Sequence, residues 1–239
     1  MGHAWDGIKW QSFGWTATLI KNKQGKINRS RKSTHGKNWR ILGLNMKKTI
    51  YYVTGNSGKF ADVAAYMTLY APEIALMQYD TDIPEIQSLD QRAVAIDKAR
   101  QAYQHLQSPV LVDDSGIYFD QYHEFPGVLS KYIFQALGLA GIKRLMNTGD
   151  WASFRIHIVF YYAPEQYEVF ACVSPGTIMY QDQFLPPASL PYDQLFVPEG
   201  TNMTHAELRA KGLINNFDHR IAALKNFIAW YRHPHPQNT

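Results

Sequence analysis

Between residues 47 and 114, three short apolar runs alternate with two longer stretches of helical period. That alternation restricts the fold more than any other feature of the chain. "KKTIYYVT" (47–54), "IALMQYD" (74–80) and "PVLVDD" (109–114) read as strands, the first of them buried and β-branched. "FADVAAYMTLYA" (60–71) puts Val63, Met67 and Tyr70 on one helical face. "SLDQRAVAIDKARQAYQHL" (88–106) reads as a helix with Ser88 as N-cap and Gln91 three positions on, a capping-box pattern. Strand, helix, strand, helix, strand predicts a three-layer α/β body. "GVLSKYIFQALG" and "LAGIKRLMN" follow as two helical stretches divided by Gly138. "ASFRIHIVFYYAP" and "QYEVFACVSPGTIMYQ" are two long strands joined as a hairpin, which predicts a second, mostly antiparallel lobe. "HRIAALKNFIAWY" (219–231) closes the chain as a helix.

The formal charge of +4 hides an asymmetry. Residues 1–45 hold nine Lys or Arg and one acid; the rest holds 15 against 19, a net −4. A mildly acidic body is a poor electrostatic platform for nucleic acid. Residues 1–45 lack a sustained period, and "KNKQGKINRSRKSTHGK" is basic and rich in turn formers, so the segment is predicted to be disordered or loosely attached. An added leader, a presequence-like arm and an arm for an anionic partner all fit it. Met46 opens the domain expected over 46–233, and 234–239 is a polar, Pro-stiffened tail. Cys172 is the single cysteine, which excludes an internal disulfide framework and a cysteine-rich zinc site. No apolar run approaches the about 18 residues of a membrane span, and no secretory signal appears. A reducing, cytoplasmic compartment is expected.

Five stretches carry chemistry. "TGNSGK" (Thr54, Gly55, Asn56, Ser57, Gly58, Lys59) follows the first strand and opens a helix. Backbone N–H groups, the helix N-terminus and Lys59 suit a polyphosphate, although a plain strand–turn–helix junction fits as well. The loop is neither a Walker A loop nor a dinucleotide fingerprint. Glu85 in "DIPEIQ" is either a solvated acid or a ligand for a hard cation such as Mg2+. Asp113 and Asp114, in "VDDSG", are expected at the carboxyl end of a strand, where ligands gather in parallel sheets. One acid would organise a cation and the other take a proton, or the pair forms an Asx-type turn. Tyr192 and Asp193 in "SLPYDQLF" offer a ring to stack on a base or to anchor the loop. Asp218 is a natural N-cap, and His219 and Arg220 are donors in the helix's first turn.

Taken in order, "TGNSGK", the acid of "PEIQ", "DDSG…FPGVLSKY", "YDQLFVPEG…T…AEL" and "HR.AAL" resemble the Ham1-like inosine triphosphate pyrophosphatase family over about residues 48–228. The resemblance implies an elongated two-lobed mixed sheet flanked by helices, with a nucleotide cleft between the lobes. It implies Mg2+-dependent hydrolysis of non-standard purine nucleoside triphosphates (ITP, dITP, XTP) to the monophosphate and pyrophosphate, by a homodimer. By position, Thr54 to Lys59 would hold the phosphates and Glu85 and Asp114 the Mg2+. Asp114 would also accept the proton of the attacking water, with Asp113 beside it. Ser115 would touch the substrate, and Tyr192, Asp193, His219 and Arg220 would surround the base. Three departures concentrate at the base end. The family's "GFGYDP.F" is "SLPYDQLF" here, the serine before His-Arg is Asp218, and a family lysine has no match, Lys211 being out of register. Those departures leave two alternatives: a nucleotide-binding protein of the same fold with weakened turnover, or a pyrophosphatase with shifted base preference.

Overall fold

The computed structural model describes residues 48–81, 83–181 and 190–233. The expectations for residues 1–45, for the tail 234–239 and for Ser189 lie outside these residues. The described part belongs to one compact unit, Asn45–Thr239. Its elements run β1 (Lys48–Val53), α1 (Ser57–Tyr70), β2 (Ile74–Tyr79), α2 (Gln91–Leu106), β3 (Val110–Phe119), α3 (Ser130–Leu145), β4 (Trp151–Ala163), β5 (Gln166–Ile178), β6 (Phe196–Pro198), α4 (His205–Ala210) and α5 (His219–Arg232). The six strands form one mixed sheet in the order β2-β1-β3-β4-β5-β6. β1 pairs parallel with β2 and β3, and every later pairing is antiparallel.

Strand alternation sorts the core. Ile50, Tyr52, Leu111, Ile158 and Phe160 face α1 and α5, where they meet Val63, Met67, Leu224 and Phe227. Their neighbours Val53, Val110, Val112, Val159 and Tyr161 face α2 and pack on Ala95, Ala99 and Ala102. The fully buried Phe227 alone removes enough apolar surface to contribute about 1.5–3 kcal/mol. Farther along the long strands a third cluster joins Ile117, Phe119 and Phe154 to Ile142, Phe196 and Tyr192. The expected second lobe is therefore built on the same continuous sheet, through the far halves of β3, β4 and β5. Among the described residues no helix is long and apolar enough to cross a membrane.

Four local expectations change. α1 starts at Ser57, three residues earlier than its apolar period showed, because the Asn56 side chain caps it. Its buried stripe is Val63, Tyr66 and Met67, and Tyr70 is exposed. The N-cap of α2 is Asp90, not Ser88: Asp90 Oδ1 accepts from the N–H groups of Arg92 and Ala93. A carboxylate answers the helix dipole better than a hydroxyl, and Ser88 Oγ accepts from the Asp90 N–H instead. The fourth change is the largest. β3 does not end at the acid pair but continues to Phe119, because β4 pairs with it all the way from Val110↔Tyr161 to Phe119↔Ala152. Gly116 lies inside the strand, opposite Arg155. A Cβ there would meet the Gly127 carbonyl oxygen at 2.2 Å, so glycine lets that backbone approach. Gly138 does divide the two helical stretches: it sits at φ +58° as a kink within α3.

Candidate active site

The cavity arises from unequal strand lengths. β1 ends at Val53, opposite Val112, while β3 runs on beside β4, its other edge met again at Tyr118 by a bridge to Pro126. From Asp113 to Ser115 that edge is open, and a cavity of about 650 Å³ occupies the space; farther on, the Ile117 N–H donates to Ser130 Oγ and the Phe119 N–H to the Phe125 carbonyl. Thr54, Gly55, Asn56, Ser57, Lys59, Glu85, Asp113, Asp114, Ser115, Tyr192, Asp193, His219 and Arg220 all line it. Of the residues singled out from sequence, Gly58 alone is absent from the wall. Its N–H donates to Asn56 Oδ1 at 2.9 Å.

Adjacent in sequence, the two acids are parted by the pleat of the strand. Asp113 turns toward α1 and α5. It accepts from Arg220 Nε at 2.9 Å and lies 3.3 Å from Lys59 Nζ. Burial pushes its carboxyl up, but Lys59 and Arg220 outweigh that and hold it well below the usual carboxylate range. Asp114 belongs to the other face. Burial raises its pKa to about 6; Lys59 opposes the shift, Asp113 adds to it, and Lys98 and Glu85 also act on it. Asp114 Oδ2 is buried and has no hydrogen-bond partner. The repulsion that the sequence implies is thus relieved by geometry and by Lys59.

Lys98 of α2 reaches Glu85 at 2.9 Å and lines the cavity. Sequence reasoning missed it, yet a signal existed. Lys98 stands seven residues after Gln91 and four after Val94, on the buried stripe of α2, where a charge calls for a reason. Lys131 of α3 and Phe154 of β4 also line the wall.

The TGNSGK turn caps itself. Asn56 Oδ1 takes the N–H groups of both Gly58 and Lys59, and the Asn56 N–H goes to Thr54 Oγ1. Two of the first-turn donors expected for an anion are therefore engaged, and the positive charge facing the cavity comes from the Lys59 side chain.

At the other end, the Tyr192 hydroxyl donates to the Ser130 carbonyl at 2.9 Å, and the ring sits edge-on to Phe119 and Phe134. This is the loop-anchoring geometry. Asp193 Oδ2 accepts from Arg209 Nη2 at 3.1 Å. Asp218 caps α5, with Oδ1 accepting from the Arg220 N–H at 2.7 Å and the Ile221 N–H at 3.3 Å. His219 stacks on Phe154, with centroids 4.7 Å apart and planes 3° apart. Burial depresses the His219 pKa to about 3, so the ring is neutral near pH 7, and neither ring nitrogen has a hydrogen-bond partner. Arg220 is almost fully buried; besides Asp113 it meets Ser115 Oγ at 3.3 Å, and its Nη1 has no partner. Of the residues that line the cavity at this end, His219 and Arg220 Nη1 have capacity to spare.

Among the described residues no cluster of three or more His, Cys, Asp or Glu forms a ready metal nest. Glu85 and the unpartnered Asp114 oxygen supply two carboxylates. That set suits Mg2+, which keeps waters and substrate phosphates as its other ligands.

The Ham1 family model matches residues 50–230. A dITP/XTP pyrophosphatase of Pyrococcus horikoshii is 31% identical over 77% of this chain and 96% of its own length. One from Methanopyrus kandleri is 32% identical, with the same coverage of both chains. An inosine triphosphate pyrophosphatase of Candida glabrata is 30% identical over 74% of this chain and 94% of its own. The solved Ham1 protein of Staphylococcus aureus superposes with a TM-score of 0.58 at 24% identity, covering 77% of this chain and 98% of that one. A HAM1 protein from Coxiella burnetii gives 0.59 at 23%, with the same coverage.

Proposed function

The chain belongs to the Ham1 family, and from that premise we propose that it hydrolyses non-standard purine nucleoside triphosphates (ITP, dITP, XTP) to the monophosphate and pyrophosphate with Mg2+. The observation that carries the reading is the unpartnered, buried Asp114 oxygen, which shares one cavity with Lys59, Lys98 and Glu85. A carboxylate that is neither paired nor hydrogen-bonded is costly unless a ligand uses it.

Lys59, Lys98 and Lys131 set three positive charges against the polyphosphate. Glu85 and Asp114 would hold Mg2+, which when bound offsets phosphate charge and raises the acidity of water. Asp114 takes the proton of the attacking water. The water oxygen bonds to the α-phosphorus as the bond to the α–β bridging oxygen breaks, and that oxygen leaves with pyrophosphate. Asp113 is committed to Arg220 and Lys59, so its part is to fix those two cations. The 6-oxo group of hypoxanthine or xanthine accepts from His219 or from Arg220 Nη1. Adenine presents an amino group there, which leaves donor against donor at Arg220 Nη1, whereas the neutral His219 ring can turn an acceptor nitrogen to it; the arginine is thus the discriminating group, and a mismatch of that kind costs a polar site about 10⁴-fold or more. The resemblance extends the proposal to a cytoplasmic homodimer, which light scattering on the purified chain tests.

The decisive experiment follows pyrophosphate release from ITP, dITP, XTP, GTP and ATP, with and without Mg2+. Release from ITP, dITP and XTP well above that from GTP and ATP, and only with the metal, is the expected result. Binding of ITP without release would favour the weakened-turnover alternative. No binding at all would overturn the reading.

A further inference from the structure

We propose that Arg209, outside the cavity wall, is a positioning residue that fixes the base-recognition end of the site by clamping three carboxylates from three separate elements. The inference rests on the pyrophosphatase reading and adds to it a determinant of nucleotide affinity.

Arg209 lies on α4. Its Nη1 donates to Asp62 Oδ1 of α1 at 2.7 Å. Its Nη2 donates to Asp193 Oδ2, in the 3₁₀ turn Pro191–Gln194, at 3.1 Å. The same nitrogen stands 3.8 Å from Asp218 Oδ2, at the N-cap of α5. Asp193 and Asp218 are only 4% and 5% exposed, so water does little to separate their charges. The other nearby cationic side chain, Arg220, is committed to Asp113. His205 and His219 approach Asp193 and Asp218 no closer than 3.7 and 4.0 Å.

A planar guanidinium with several fixed donors can serve three acids at once, which an ammonium cannot. The elements it ties together each carry a wall of the site. α1 holds Lys59 at the phosphate end; the 3₁₀ turn holds Tyr192; α5 presents His219 and Arg220. Without Arg209, Asp193 loses its guanidinium partner and faces Asp218, whose charge only Arg220 then offsets, and the turn and the start of α5 move apart. The phosphate end has its own ion pairs, Lys59 with Asp113 and Lys98 with Glu85, and keeps its shape. The clamp therefore acts on base recognition and leaves phosphate binding alone.

The test compares wild type, Arg209→Met, Arg209→Lys and Asp62→Asn for ITP hydrolysis. It also measures binding of a non-hydrolysable ITP analogue and of inorganic tripolyphosphate. For Arg209→Met the expected result is a KM for ITP, and a Kd for the analogue, raised about tenfold or more, since small misplacements of a binding group cost up to about 100-fold. Its kcat and its tripolyphosphate affinity stay within about threefold of wild type. Arg209→Lys recovers part of the loss, and Asp62→Asn shows a smaller change in the same direction. The two milder variants decide the matter if the methionine variant does not fold, because each leaves a cation beside the buried acids. Unchanged nucleotide affinity would overturn the proposal, as would equal losses for the analogue and tripolyphosphate. Wild type that neither binds nor cleaves ITP would overturn the functional reading itself; wild type that cleaves ITP while the variants match it would sink the clamp alone.

Discussion

The two ends of the cavity differ in how far their polar groups are already satisfied. At the Glu85–Asp114 end the contacts are few and exchangeable. Lys59 sits 3.3 Å from Asp113, Lys98 holds an exposed Glu85, and one Asp114 oxygen has nothing. At the Tyr192–His219 end the tyrosine hydroxyl, Asp193 and Asp218 are buried and committed to the protein. In the proposed reaction the first end would trade its partners for a polyphosphate and a cation, while the second is mostly framework, with His219 and one Arg220 nitrogen left over. Residues that look alike in a motif thus do different work. Asp113 and Asp114 are neighbours, yet one is locked in an ion pair and the other is open.

Four substitutions break or sharpen this contrast. Asp114→Asn has the largest effect. With the shape kept and the proton acceptor gone, kcat for ITP falls by about 10²–10⁴-fold, read as pyrophosphate release, while Tm holds or rises. Asp113→Asn acts on stability first. It leaves the buried Arg220 without its counter-charge, so urea unfolding should show a loss of about 3–5 kcal/mol. If Asp113→Asn were stable and merely inactive, the division of labour between the acids would be wrong.

The third test is pH. The folded His219 pKa lies at about 3, below the ordinary 6.5, so the unfolded chain binds a proton first as pH falls. The stability this buried ring contributes is whole above pH 6.5 and is lost as pH falls toward 3. The slope approaches about 1.4 kcal/mol per pH unit. In urea titrations between pH 6.5 and about 5, His219→Phe should flatten the wild-type slope; equal slopes would show that the ring is not buried neutral. The smallest effect belongs to Tyr192→Phe. It removes one hydrogen bond to the Ser130 carbonyl and costs about 1–2 kcal/mol of stability, with KM for ITP unchanged. A several-fold rise in KM without loss of stability would move Tyr192 from framework to substrate contact.

Much of this was readable from sequence. The strand–helix alternation, the kink at Gly138, the hairpin and the Asp218 cap all held, because each signal acts within a few residues along the chain. That Lys59, Glu85 and Asp114 gather in one place was also readable, and all three line the cavity, since Lys59 follows the first strand at once and Glu85 and Asp114 flank predicted elements. The local misses were small, a cap at Asp90 rather than Ser88 and a helix that starts at Ser57; the larger ones were set by distant partners. The acid pair reads as a strand end because the apolar run stops there, yet β4, with Ile158 and His157 opposite the two acids, keeps the strand paired through Phe119. Tyr192 and Asp193 read equally as contacts to a base or as a loop anchor, and packing against Ser130 and Arg209 shows the anchoring.

By itself, then, the sequence determined which segments become strands and helices and which residues bring charge to the strand ends. Periodicity and capping are local, paid for by neighbours one turn away. The tertiary structure decided which acid would be neutralised and which left open. Arg220 reaches back 107 residues to Asp113, and Arg209 reaches 147 to Asp62. Ion pairs across such separations depend on how α1, α4 and α5 come to lie against the sheet, a consequence of the whole core that no stretch of the chain contains.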